Sequence, residues 1–113
     1  MEFPNGISTE TYAGSPRIVA KFHGDTAKFR QTLLERAEDL IKFGELSRTA
    51  GAIHHRFGVG DGFVIVVDEW QTAEQFEAFM ANPELQAFIA QTGAAGGPPE
   101  VTVTEAVTSA DQF

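Results

Sequence analysis

The chain has 113 residues, with sixteen acidic side chains against eight basic ones and a formal charge of −8. That length suits one domain, and an apolar content of 42% marks a globular chain rather than a disordered one. No cysteine is present, which excludes disulfide scaffolds, thiol nucleophiles and cysteine zinc sites. No apolar run nears the ~18 residues of a membrane span. The N-terminus has neither the basic start nor the apolar core of a signal peptide, so a cytoplasmic location is expected. The eight bases are scattered and form no run of Lys or Arg, which argues against nucleic acid or an anionic membrane as partner. The ten phenylalanines are more apolar surface than one small core easily absorbs. They fill an aromatic-rich core, line a pocket, or form a subunit interface.

In chain order, residues 1–15 hold Pro4, Gly6 and Gly14 among Ser and Thr, and read as a flexible N-terminal arm. The folded domain is expected over 16–108, with a C-terminal tail at 109–113. Arg17 to His23 alternates as a strand, with Ile18, Ala20 and Phe22 on one face. Asp25 is an N-cap for a helix predicted over Thr26–Phe43. Phe29, Leu33, Ala37 and Leu40 make its apolar stripe, Leu34 and Ile41 widen it, and Gly44 is its expected C-cap. A short connection over Glu45–Ala50 leads to a second strand, Gly51–Val59. Gly60-Asp61-Gly62 signals a tight hairpin into Phe63–Trp70. That third strand opens with five apolar residues in a row, the mark of a central strand buried on both faces. Thr72 and Gln75 form a capping-box pattern ahead of a helix carrying Ala73, Phe76, Phe79 and Met80. Asn82-Pro83 interrupts it and opens a further short helix. A Gly/Ala/Pro connection then leads to a last strand over Glu100–Thr108.

The order strand, helix, strand, strand, broken helix, strand is the split βαβ pattern of an α+β, ferredoxin-like βαββαβ domain. Helices cover one face of a four-stranded antiparallel sheet. The apolar third strand requires cover on the other face as well. A second copy of the chain supplies it, which makes a homodimer the expected partner state.

Residues 61–88, DGFVIVVDEWQTAEQFEAFMANPELQAF, pair a strand ending in Glu-Trp with a Thr-capped helix and a second short helix. In this segment the chain resembles the dimeric α/β-barrel superfamily, and within it the antibiotic-biosynthesis-monooxygenase-like domains. The resemblance implies a dimeric α/β barrel built from two sheets, with a ligand cavity in each subunit between sheet and helices. It admits cofactor-free monooxygenases of polyphenols, haem-degrading enzymes and isomerases, so the fold does not fix the function. Two features depart from the family pattern. The chain has no His after His55, where the haem degraders place their axial ligand, and its one Tyr is Tyr12, in the arm.

The candidate catalytic residues are His54, His55, Asp68 and Trp70. Adjacent histidines in a strand point to opposite faces, so one of them at most enters a cavity as base or hydrogen-bond donor. Asp68 shares an apolar face with Val64, Val66 and Trp70. It needs a partner, either Arg56 or a His of the neighbouring strand. Trp70 offers a ring to stack on and an N–H to orient a ligand. His23, Arg56, Phe22, Phe63, Phe76 and Phe79 are candidates for substrate binding. No phosphate loop, Ser-His-Asp pattern or His-Glu-x-x-His motif occurs, and neither a metal nor a cofactor is expected. The leading function is a cofactor-independent monooxygenase of a small aromatic or polyketide-like molecule. The alternatives are a non-catalytic barrel binding a small apolar ligand, and, more weakly, haem binding through His23, His54 or His55.

Overall fold

A computed structural model describes residues 15–113, so Tyr12 and all of the predicted arm except Ser15 lie outside the described residues. Four strands form one antiparallel sheet: β1 (Pro16–His23), β2 (Ala52–Val59), β3 (Phe63–Trp70) and β4 (Glu100–Glu105), in the order β2-β3-β1-β4. Four helices, α1 (Thr26–Glu35), α2 (Ala37–Ala50), α3 (Ala73–Met80) and α4 (Pro83–Ile89), supply the two crossovers. The result is the ferredoxin-like α+β fold with a four-stranded antiparallel sheet.

Cross-strand partners share a face, so the register assigns each strand residue to one side. Ile18, Ala20 and Phe22 of β1 stand with Val64, Val66, Asp68 and Trp70 of β3 on the side toward the helices. Ile18, Ala20, Phe22 and Val64 are buried there beside Phe29, Phe76 and Trp70. The opposite face carries Arg17, Val19, Lys21 and His23 against Phe63, Ile65, Val67 and Glu69. Val67, in the middle of the central strand, is 44% exposed on that face. Glu69 is buried beside it, accepting a hydrogen bond from Ser15 Oγ at 2.6 Å and lying 3.8 Å from the Arg17 guanidinium.

The first crossover departs from the predicted single helix in two ways. Arg36 leaves helical geometry (φ −119°, ψ 37°), which separates α1 from α2 and shifts the phase of the apolar stripe. Leu34, inside α1 and turned away from Phe29 and Thr32, and Ile41, in α2, face solvent at 83% and 62% exposure instead of widening the buried face. Arg36 is fixed at the break by Asp39, by Gln91 and by the ring of Phe88. Gly44 is not a C-cap: α2 runs through it to Ala50, so Glu45–Ala50 is helix and not a connection. The cap is Gly51, whose φ of +125° belongs to glycine and whose N–H returns to the carbonyls of Ser47 and Arg48.

The second half follows the expected pattern. Thr72 and Gln75 close a reciprocal capping box on α3. The Asn82 side chain caps α4, with Pro83 in its first turn. After α4 the chain lies against the β1–α1 turn, where the Gly93 carbonyl accepts from Asp25 N–H at 2.9 Å. A side chain at Gly24 would collide with that carbonyl, so the close approach requires glycine. β4 ends at Glu105, three residues short of the predicted end. The Ala106 N–H turns to the Ser15 carbonyl at 2.8 Å, and Val107 is 77% exposed beyond the strand.

The two glycines of α2 give opposite expectations. A methyl group at Gly44 meets nothing within 4 Å. Gly44→Ala is therefore expected to stabilise the fold by about 0.5–1 kcal/mol and to raise Tm by a few degrees. At Gly51 the positive φ and the Gln75 side chain both oppose a Cβ. Gly51→Ala is expected to lower stability by about 1 kcal/mol or more, read by the same thermal denaturation.

Candidate active site

Between the sheet and the helices lies a cavity of about 120 Å³. Seven of the ten phenylalanines line it: Phe22, Phe29, Phe43, Phe57, Phe76, Phe79 and Phe88. The aromatic surplus thus surrounds a space instead of closing one. Leu33, Leu40, Val66, Met80 and Ile89 complete most of the apolar wall.

A small number of polar side chains reach this wall. The hydroxyls of Thr32, Ser47 and Thr92 donate to the carbonyls of Lys28, Gly44 and Ile89, a turn back along their own segments. Their protons are committed to backbone. The remaining polar lining is His55, Asp68 and Trp70, and these three form one unit. The Asp68 carboxylate accepts from Trp70 Nε1–H at 3.0 Å through Oδ2, and meets His55 Nδ1 at 2.7 Å through Oδ1. Trp70 is 1% exposed and Asp68 7%, while the His55 side chain keeps 42% exposure. An ionised carboxylate only accepts, so His55 holds its proton on Nδ1. The Nε2 lone pair is then left unspent, and among the described residues no side chain engages it.

The sheet positions this unit by an irregularity. Ala52 pairs with Trp70, but His54 pairs with Glu69 and His55 with Asp68, so β2 carries one extra residue between Ala52 and His54. Without this bulge, position 54 would fall opposite Asp68. The inserted residue re-aims the strand and brings His55 to the cavity side. The ring of Phe57 packs edge-on against the imidazole at 4.7 Å, and Phe29 against Phe57 at 5.1 Å. Trp70 is held in the same manner by Phe76 and Phe79, at 5.8 and 5.5 Å.

The candidate residues from the sequence divide accordingly. His55, Asp68, Trp70, Phe22, Phe76 and Phe79 meet at the cavity. His54 and Arg56 stand on the other face of β2, paired with Glu69 and Val67. His23 is on that face as well, 3.7 Å from Glu100, and Phe63 lies under the Lys21 ammonium. These four are outside the cavity, because strand alternation separates them from Asp68. The carboxylate's partner is the neighbouring histidine and not Arg56. Sequence reasoning left Phe29, Phe57, Phe43 and Phe88 off the binding list. The signals available were the helical stripe of Phe29, the helical spacing of Phe88 with Leu85 and Ile89, and the face that Phe57 shares with His55.

Removing the carboxylate strands two donors in an apolar wall. Asp68→Ala is expected to cost about 1–3 kcal/mol, read by urea denaturation followed through Trp70 fluorescence. A change under about 0.5 kcal/mol would mean that water satisfies the indole and imidazole equally well.

No family model matches the chain, and no curated protein matches it in sequence. Solved structures share its fold. A monooxygenase from the gene ActVA-Orf6 of Streptomyces coelicolor, in complex with Nanaomycin D, is 18% identical, with a TM-score of 0.62 over 85% of this chain and 90% of that one. SnoaB, a cofactor-independent oxygenase of Streptomyces nogalater, is 15% identical, with a TM-score of 0.61 over 88% of this chain and 100% of that one. A dimeric ferredoxin-like protein from an uncultured marine organism is 11% identical, with a TM-score of 0.56 over 85% and 90%. The chain shares the ferredoxin-like fold of these solved structures, the fold that the resemblance of residues 61–88 implies.

Proposed function

We propose that the chain is a cofactor-independent monooxygenase of a small phenolic molecule, with His55 as the base. The observation that carries this reading is the Asp68 carboxylate shared between Trp70 and His55 on the wall of an apolar cavity. Asp68 orients the imidazole and stabilises the imidazolium formed when Nε2 takes a phenolic proton. The resulting phenolate is electron-rich, and the apolar wall excludes water from it. Dioxygen then places one oxygen atom at a ring carbon para to the hydroxyl, and the other leaves as water. Phenol plus dioxygen gives quinone plus water, so the reaction needs no outside reductant. The oxygenases that share the fold support this reading by analogy.

Volume bears on the substrate. A cavity of about 150 Å³ holds one benzene ring, and this one measures about 120 Å³. A single-ring phenol fits that space better than a fused polyketide.

The same reading includes a homodimer closed through the open sheet face, where Val67 and Val19 are 44% and 38% exposed. A dimeric protein of the same fold supports it. Val67→Glu is expected to shift the sedimentation coefficient from dimer to monomer, and a wild-type monomer would remove the barrel from the proposal.

Oxygen consumption with a panel of monocyclic phenols tests the activity. His55→Gln is expected to lower the rate by about 10²- to 10⁴-fold, and Trp70→Phe by less. A phenol that raises Tm and is recovered unaltered would make the cavity a binding site without chemistry.

A further inference from the structure

A second cavity, of about 470 Å³, lies outside the first, between α2 and the edge strand β2. Gly44, Ser47 and His55 line both cavities. The two spaces therefore share a wall, and the imidazole stands in it. At that wall Gly44 offers no side chain, and a Cβ there would meet open space. The helix thus leaves an opening where packing would normally fill the gap.

The linings differ in kind. The inner cavity is aromatic and aliphatic, whereas the outer one carries Glu45, Arg48, His54 and Arg56. Among the described residues the ion pairs engage Arg17, Arg36 and Lys42 but neither Arg48 nor Arg56. Arg48 of α2 and Arg56, from the far face of the edge strand β2, border this cavity beside a single carboxylate, and neither is ion-paired, in a chain whose net charge is −8. The local sign is opposite to that of the molecule. A guanidinium fork matches the two oxygens of a carboxylate.

We infer that the outer cavity is a second subsite of the same binding site, and that Arg48 and Arg56 take a carboxylate carried on the substrate's side chain. The substrate class is then a single-ring phenol with an acidic side chain. The ring enters the inner cavity beside His55, and the carboxylate stays in the outer one. This inference rests on the proposed ring site at His55 and goes beyond it in assigning the substituent and the residues that select it.

Trp70 is the only tryptophan and borders the inner cavity, so its fluorescence reports ring binding. The probes are 3-(3-hydroxyphenyl)propionate, whose ring carbon para to the hydroxyl is free, and its methyl ester, which removes the charge. The acid is expected to bind about tenfold more tightly than the ester at low salt, with the preference shrinking at high salt. The double variant Arg48→Gln/Arg56→Gln is expected to bring the acid's affinity down to that of the ester. Both arginines are exposed, so the variant is expected to keep the wild-type circular dichroism. Gly44→Leu is expected to fold without loss of Tm and to weaken acid binding about tenfold by filling the shared opening.

Equal binding of acid and ester, a preference that survives the double variant, Gly44→Leu binding like wild type, or no response of Trp70 to either probe would overturn the inference. An oxygen electrode separates it from the activity. Selective binding of the acid without oxygen uptake keeps the subsite and removes the oxygenase reading. Uptake with m-cresol and no preference for the acid does the reverse.

Discussion

A single carboxylate organises the interior. Asp68 sits on the apolar face of the central strand, where an unpaired charge would be expensive. It is tolerated because donors reach both of its oxygens, the indole two residues along its own strand and the imidazole across from it on the next. Each donor is in turn wedged by aromatic rings, Phe57 on one side and Phe76 and Phe79 on the other. The carboxylate therefore couples the pairing of β2 with β3 to the packing of α3. Loss of Asp68 leaves both donors unmet, and loss of either donor leaves one carboxylate oxygen unmet. Among the described residues no buried side-chain nitrogen or oxygen lacks a partner, so the unit carries no such loss as it stands.

The wall around that unit explains the composition. Seven phenylalanines are more than a filled core of this size uses, and they enclose a space that a few larger aliphatic contacts would close. An open apolar cavity costs contacts that its lining atoms would otherwise make. The helix over it adds a second cost, a glycine in the interior of α2 with nothing packed where its side chain would be. Both features lower stability and both face the same imidazole. Folding alone gives no reason for them to coincide, whereas a space kept for a ligand does.

The sequence was informative where local chemistry acts alone. Alternation in Arg17–His23, the capping box at Thr72 and Gln75, and Asn82-Pro83 ahead of α4 each specify an element within a few residues, and the structure has them all. The face shared by Val64, Val66, Asp68 and Trp70 was legible for the same reason, as was the need of Asp68 for a partner. The break at Arg36 was not legible, because it depends on Gln91 and Phe88, more than fifty positions away. That break sets the phase of α2 against α1, and with it where Ile41 points. Gly44 misled for a related reason: a glycine after a basic residue reads as a helix end unless tertiary contacts carry the helix on.

The choice between His54 and His55 was illegible in a stricter sense. Alternation makes the two equivalent until the register with β3 is known, and that register shifts by one inside β2. One inserted residue sends an imidazole to Asp68, and its neighbour to the face of Arg56 and Val67. The chemistry of the cavity is thus set by a feature of pairing and not by a motif. This is consistent with a fold that keeps its layout across structures only 11–18% identical to this chain. In such a fold the scaffold supplies an apolar chamber behind a sheet, and a local defect in one strand decides which polar atom faces it.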